Sequence, residues 1–413
     1  MRFLESGGRG PADDVRPLGR AFRAAGSPLP GNFLTESSPV MGLTGKPLLI
    51  LAIALAVVLF TVTVWCWPRL ARRGARAVLG RVGMLLATQV AVFATVALLA
   101  NNSFLFYGSW ADLFGRKQDM GVVTDHAAGT LAAKNIVRVG TQRPDVPGGA
   151  LPRVGGRIDK VVIAGKRSGI ESSAYVYLPP EYFQPAFAHR RFPAAVVLTG
   201  YPGTAENLIK GLAYPRTALD RVKAGRAQPM VLVMLRPTVA PPRDTECVDI
   251  KGGPKTETFF ADDLPRAVSA GYRVGKHARN WGIIGNSTGG YCALKIGLHH
   301  PDRFTASAGL SAYYKAAEDP TTGDLFHGDQ TARHRADLLW SLDNRPQPDS
   351  SFLVTSSRHG ESNYADTRKF VAKVKQPAQV SSIVLDSGGH NFNTWRREIP
   401  AALEWLSSRL SEN

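Results

Sequence analysis

Cysteine is scarce in this chain, with Cys66, Cys247 and Cys292 the only three among 413 residues. That excludes a small scaffold built on disulfides. No C-x-x-C or H-E-x-x-H occurs, so neither a zinc knuckle nor a zincin is indicated, and no cofactor is implied. Acidic residues are also few, 33 against 50 Lys and Arg, for a net charge of +17. Even so, no run of five or six basic residues appears beyond residue 100, and no aromatic–basic interleaving. This argues against nucleic acid as a partner. Repeats and low-complexity stretches are missing too. With 44% hydrophobic and 20% charged residues, wholesale disorder and collagen-like chains are excluded. The basic excess is a better match to anionic lipid or acidic wall polymers.

Long apolar runs are present near the front. Residues 48–67 read LLILAIALAVVLFTVTVWCW, twenty positions without a charge. At about 1.5 Å rise per residue they cross a hydrocarbon core of about 30 Å. Residues 82–100, VGMLLATQVAVFATVALLA, form a second span interrupted only by Gln89. Neither has the polar face of a soluble core helix. The short loop between them carries Arg69, Arg72, Arg73, Arg76 and Arg81. The positive-inside rule makes that loop cytoplasmic and everything after residue 101 extracytoplasmic. Trp65, Trp67, Phe104, Phe106, Tyr107 and Trp110 fit interfacial aromatic belts. The expected organisation is a disordered tail over 1–46, with Met41 the true start. A transmembrane hairpin over 47–101 follows, then a connector over 102–155 with a membrane-surface helix at 108–116. A catalytic domain occupies 156–413.

From residue 156 the pattern alternates. GRIDKVVIAG and SSAYVYLPPEYF read as a leading hairpin. The apolar runs FPAAVVLTG, PMVLVMLRP, NWGIIGNS, FTASAGL, SSFLVTSS and VSSIVLDS follow. Helical patterns cover about 204–224, 260–277, 288–300, 363–375 and 394–410. Buried strands alternating with helices predict an α/β fold, a mostly parallel sheet wrapped on both faces.

Three strand ends carry the chemistry. Gly285-Asn286-Ser287-Thr288-Gly289 follows one apolar run and precedes a helix. That is the context of a nucleophile elbow, where small flanking residues allow a sharp turn and expose the serine hydroxyl. His390, in Gly388-Gly389-His390-Asn391, ends the last strand and can serve as general base near pH 7. The acid that orients it belongs in the loop RHGESNYADTRKF. Placement favours Glu361 over Asp366, with Asp386 a third choice. Backbone amides of Thr288 and Tyr201 are the expected oxyanion donors, because Pro202 has none.

SSAYVYLPPEYF, VVLTGYPG, WGIIGNSTGGYCALKIGLHHPDRFTASAGLS and DSGGHNFNTWRREIPAALEWL resemble the putative-esterase family of α/β-hydrolases. That group includes esterase D and the antigen 85 mycolyltransferases. The resemblance covers about residues 160–410. It implies an α/β-hydrolase fold with Ser287 as nucleophile, Glu361 as acid and His390 as base. It also implies oxyanion amides at Tyr201 and Thr288. A hairpin anchor joined to such a domain is similar to membrane-bound esterases of actinobacteria. The antigen 85 loop that handles trehalose is acidic, whereas here it reads Thr199-Gly200-Tyr201-Pro202, so the sugar contact is missing. Outside the membrane, Cys247 and Cys292 become a candidate bridge, while Cys66 ends a span as a packing residue.

The expectation is therefore a multi-pass membrane protein with two spans. Its catalytic domain is an extracytoplasmic serine carboxylesterase or acyltransferase acting on small-molecule, lipid or glycan esters. A peptidase ranks lower among enzymes, and a non-catalytic envelope scaffold is the alternative of another class.

Overall fold

The computed structural model describes residues 42, 45–71, 74–104, 110, 135–241 and 243–412. The expected tail and start at Met41, the surface helix at 108–116, much of the connector, and Arg72, Arg73, Phe106 and Tyr107 lie outside the described residues.

Helix α1, Lys46–Cys66, opens with Pro47 in its first turn, where a missing N–H costs nothing. A 3-10 turn, Trp67–Leu70, follows it, and then α2, Ala75–Phe104. Thr88 Oγ1 donates to the Met84 carbonyl at 2.8 Å. Its proton is thereby used, so Thr63 donates across the helix pair to Thr88 Oγ1 at 2.9 Å. Large apolar side chains such as Phe60, Leu79 and Phe93 stand exposed along both helices. Both helices are long and apolar enough to cross a membrane.

The remaining chain builds one nine-stranded sheet in the order β1-β2-β3-β5-β4-β6-β7-β8-β9. The strands are β1 Ile136–Gln142, β2 Arg157–Ala164, β3 Glu171–Leu178, β4 Ala194–Leu198, β5 Val231–Leu235, β6 Trp281–Asn286, β7 Ala306–Leu310, β8 Ser351–His359 and β9 Gln379–Ser387. The first three pair antiparallel, and β3 is antiparallel to β5. All others run parallel. Strand β1 lies inside the stretch expected to be a connector. Its Arg-, Gly- and Thr-containing run lacks the unbroken apolar signal of the central strands, because it is an edge strand and only half buried.

Strands β4 and β5 are apolar throughout because both faces are covered. In β4, Val196 and Leu198 face one core and Ala195 and Val197 the other. Helices α4 (Leu264–Gly271), α5 (Thr288–His299) and α6 (Tyr364–Lys373) cover the first face. Helices α3 (Tyr214–Lys223) and α7 (Phe392–Arg409) cover the second. Two helical stretches differ from expectation at prolines. The run from 204 is a π turn, Asn207–Gly211, and then α3, with Pro215 in the first turn of the new helix. The run toward α4 starts earlier, at Thr256, and passes a π segment, Phe259–Asp263, just before Pro265. Proline has no N–H for an intrahelical bond and crowds the preceding turn, so the chain restarts or widens there.

The chain leaves β4 toward β5 on one side and crosses back to β6 on the other. The connections therefore diverge between β4 and β6, and a crevice opens at their carboxyl ends.

Candidate active site

Ser287 sits at that crevice, between the last residue of β6 and the first of α5. Its backbone is at φ 55°, ψ −123°, a conformation rare for a residue with a side chain. Two close approaches hold it there. A Cβ on Gly285 would come 2.3 Å from the Gly289 carbonyl oxygen, and one on Gly289 would come 2.3 Å from that of Thr199. Only glycine fits at either place. The Ser287 N–H donates to the Leu310 carbonyl at 3.0 Å, which ties the turn to the end of β7.

His390 lies between β9 and α7. Asn391 caps α7, its side-chain oxygen accepting from Asn393 N at 3.0 Å and Thr394 N at 3.2 Å. This brings His390 Nε2 to 2.8 Å from Ser287 Oγ. The Trp395 ring stands edge-on to the imidazole, with centroids 5.2 Å apart. The imidazole is half exposed.

Glu361 follows Gly360, whose φ of +96° turns the chain after β8. Its Oε2 accepts from Ser357 N at 2.7 Å, and its Oε1 is 3.8 Å from His390 Nδ1. That distance is an ion-pair contact longer than a hydrogen bond, of the kind that tightens when substrate binds. Burial pushes the Glu361 carboxyl up, but the His390 imidazole and the Ser311 and Ser357 donors outweigh it. The group stays below the usual carboxylate range.

The other two carboxylates do not face His390. Asp366 is on α6 and pairs with Lys369 at 2.8 Å. Asp386 is 98% exposed and lies 3.9 Å from Arg358.

The turn after β4 adjoins the nucleophile, since a Cβ on Gly200 would sit 3.0 Å from Ser287 Cβ. Gly203 N bonds the Gly200 carbonyl at 2.9 Å and closes the turn around Tyr201 and Pro202. Thr288 opens α5, where first-turn amides have no acceptor within the helix.

Several residues at the site carry no sequence signature. The Tyr313 hydroxyl donates to Glu246 Oε1 at 2.6 Å. Burial, with Asp244 beside it, pushes the Glu246 carboxyl up to about 8. The neighbouring Cys247 is disulfide-bonded to Cys292 of α5, joining the two cysteines expected as a pair. Cys66, at the end of α1, is free and half buried. Ser311 and Trp395 are placed only by tertiary packing. Glu398 had one readable signal, a charged residue on the apolar stripe Trp395, Ile399, Ala402, Leu403 and Leu406 of α7. Among the described residues no group of three or more His, Cys, Asp or Glu side chains is arranged to hold a metal ion.

A parallel sheet wrapped by helices, with a serine on a strand-to-helix elbow at the switch point, defines an α/β-hydrolase. The sequence profile of the family described as "Putative esterase" matches residues 166–406, more than half of the chain, and the protein belongs to that family. Solved structures with the same fold include a ferulic acid esterase, 19% identical with a TM-score of 0.52, covering 61% of this chain and 98% of that one. Another is the S-formylglutathione hydrolase of Agrobacterium tumefaciens, 18% identical with a TM-score of 0.51, covering 67% of this chain and all of that one. An uncharacterised protein of Corynebacterium glutamicum is 25% identical over 283 residues. That match spans 62% of this chain and 62% of the relative, under two thirds of its length.

Proposed function

We propose that this chain is a membrane-anchored serine hydrolase that acts on acyl esters outside the cytoplasm through Ser287, His390 and Glu361. The observation that carries the reading is the 2.8 Å contact between His390 Nε2 and Ser287 Oγ, made by an elbow serine. Ser287 Oγ attacks the ester carbonyl carbon as His390 takes its proton. Glu361 holds the imidazole in one tautomer and stabilises the imidazolium. Backbone amides of Thr288 and Tyr201 receive the negative charge of the tetrahedral oxygen. On collapse His390 returns the proton to the leaving alcohol, and the acyl group stays on Ser287. A second nucleophile, water or an alcohol, then gives its proton to His390 and takes the acyl group, and His390 returns that proton to the departing Ser287 Oγ. The half-exposed imidazole leaves room for an alcohol larger than water, so acyl transfer to a lipid or glycan hydroxyl is the second reading.

The anchor is the pair α1 and α2. The basic residues at their bend, Arg69 in the 3-10 turn and Arg76 and Arg81 in the first turns of α2, support a cytoplasmic bend and an external hydrolase domain.

The test is turnover of p-nitrophenyl esters of short and long acyl chains by the full chain in detergent. Ser287→Ala is expected to lower kcat by about 10⁴-fold or more. Added glycerol or sugar that diverts product from acid to ester would establish transfer. Folded protein with neither turnover nor fluorophosphonate labelling of Ser287 would sink the reading in favour of a non-catalytic envelope scaffold.

A further inference from the structure

Behind Glu361 lies a second carboxyl that the mechanism does not use. Glu398 is at the middle of α7 and fully buried. Its Oε2 accepts from Thr355 Oγ1 at 2.8 Å. Thr355 Oγ1 in turn accepts from Ser311 N at 2.9 Å. Ser311 follows the last residue of β7 with φ +46°, a left-handed conformation unusual for a residue with a side chain. Its Oγ accepts from Trp395 Nε1 at 2.9 Å, and its hydroxyl is among the groups that hold the Glu361 carboxyl down.

The hydrogen-bond directions are fixed by counting protons. Thr355 has one, and the Ser311 N–H already points at its oxygen, so that proton goes to Glu398. Ser311 has one on its side chain, and with Trp395 donating to its oxygen, that proton is left to turn toward Glu361. The chain Glu398–Thr355–Ser311 thus ends beside the carboxylate that faces His390. Trp395, one turn before Glu398 on the same helix, touches both Ser311 and the imidazole.

We propose that Glu398 is a positioning residue for the catalytic acid, a neutral acceptor that holds Ser311 through Thr355 so that Glu361 keeps its aim at His390. This rests on the Ser287–His390–Glu361 reading. Neutrality matters because an ionised Glu398 would put a second buried negative charge beside Glu361. The groups facing it support the neutral form. Burial pushes the Glu398 carboxyl up to about 8, and the Glu361 charge adds to this against Thr355 and Arg397. The Tyr214 hydroxyl of α3 is itself pushed up by burial and by Glu398. The second carboxyl oxygen, Oε1, meets no partner among the described residues.

The experiment uses the full chain in detergent, with active sites counted by fluorophosphonate so that misfolded protein is not scored. Glu398→Leu removes the acceptor and is expected to lower kcat per active site by about tenfold or more, with KM within about twofold. Glu398→Gln keeps a neutral acceptor and is expected to recover most of that loss. If Glu398→Leu fails to fold, Thr355→Val breaks the same chain at its middle and is expected to copy its effect. The His390 imidazole, followed by NMR with His390→Gln as the assignment control, is expected to titrate lower in the Leu and Val variants and unchanged in Gln below pH 7. Equal losses in Leu and Gln would overturn the proposal, since the charge and not a neutral acceptor would then be needed. So would folded Leu and Val variants with unaltered kcat and His390 titration. Wild-type protein without Ser287-dependent turnover would defeat the esterase reading instead, and the His390 titration would still decide the Glu398 link.

Discussion

Ser287 and His390 are 103 positions apart in the chain and 2.8 Å apart in space. The contact depends on residues that do no chemistry. Gly285 and Gly289 let strand and helix approach within a distance that any Cβ would block, and Asn391 starts α7 so that His390 precedes its first turn. The choice among carboxylates also belongs to this scale. Glu361 faces the imidazole, whereas Asp366 pairs with Lys369 and Asp386 lies in solvent near Arg358. Glu361→Gln is expected to lower kcat by about 10³- to 10⁴-fold, because an amide can hold the wrong tautomer of His390. Asp366→Asn and Asp386→Asn are expected to stay within about twofold of wild type in the same assay. A larger loss in either than in Glu361→Gln would move the acid to that residue. Loop position in the sequence already favoured Glu361, but distance to the imidazole is a property of the folded chain.

Helix α5 shows what an element needs beyond its hydrophobic pattern. Its first turn serves the nucleophile, and its last turns carry a buried charge. Lys295 is 1% exposed. Its Nζ lies 2.8 Å from Glu257 Oε2 and also donates to the Cys247 carbonyl. Glu257 further meets His300 Nε2 at 2.9 Å and Arg335 at 2.8 Å. Burial alone would raise the Glu257 carboxyl, but Lys295 and then His299 and His300 outweigh it and hold it well below the usual range. Burial likewise pushes His299 down to about 4, so that imidazole is neutral at pH 7. Lys295→Met leaves the Glu257 charge buried with weaker partners. It is expected to cost about 3–5 kcal/mol in urea unfolding of the detergent-solubilised chain. A cost below about 1 kcal/mol would show that Arg335 and the two histidines suffice for Glu257. In the sequence, Lys295 reads as the polar face of an ordinary helix. Nothing local reveals that the strand–helix layering encloses it.

At the scale of the molecule, charge and hydropathy divide the chain. The first 100 residues hold both apolar spans, and the sheet comes after residue 135. The proposed topology puts the bend after α1 in the cytoplasm. Gly74 reports on it, since a Cβ there would meet nothing within 4 Å. In a Cys66→Ser background, Gly74→Cys is expected to resist a membrane-impermeant maleimide in intact cells and to react after lysis. Labelling in intact cells would invert the topology and place the hydrolase domain inside. An inverted topology would also withdraw the oxidising surroundings that favour the Cys247–Cys292 bridge.

The apolar spans, the β–α alternation, the elbow around Ser287 and the placement of His390 were legible in the sequence because each rests on local pattern. Run length, period and small flanking residues act over a few positions, whatever the rest of the chain does. Strand β1 was not legible, since an edge strand need not be apolar and its pairing with β2 is settled across a loop. The two helices that restart or widen near Pro215 and Pro265 were misjudged in extent, because core burial outweighs propensity in choosing where a helix resumes. Only the tertiary structure decided that β4 and β6 are neighbours and that a crevice opens between them. It alone brought Ser311, Thr355, Trp395 and Glu398 together behind Glu361. These residues come from the turn after β7, from β8 and from α7, and their roles depend on distances that no local sequence pattern encodes.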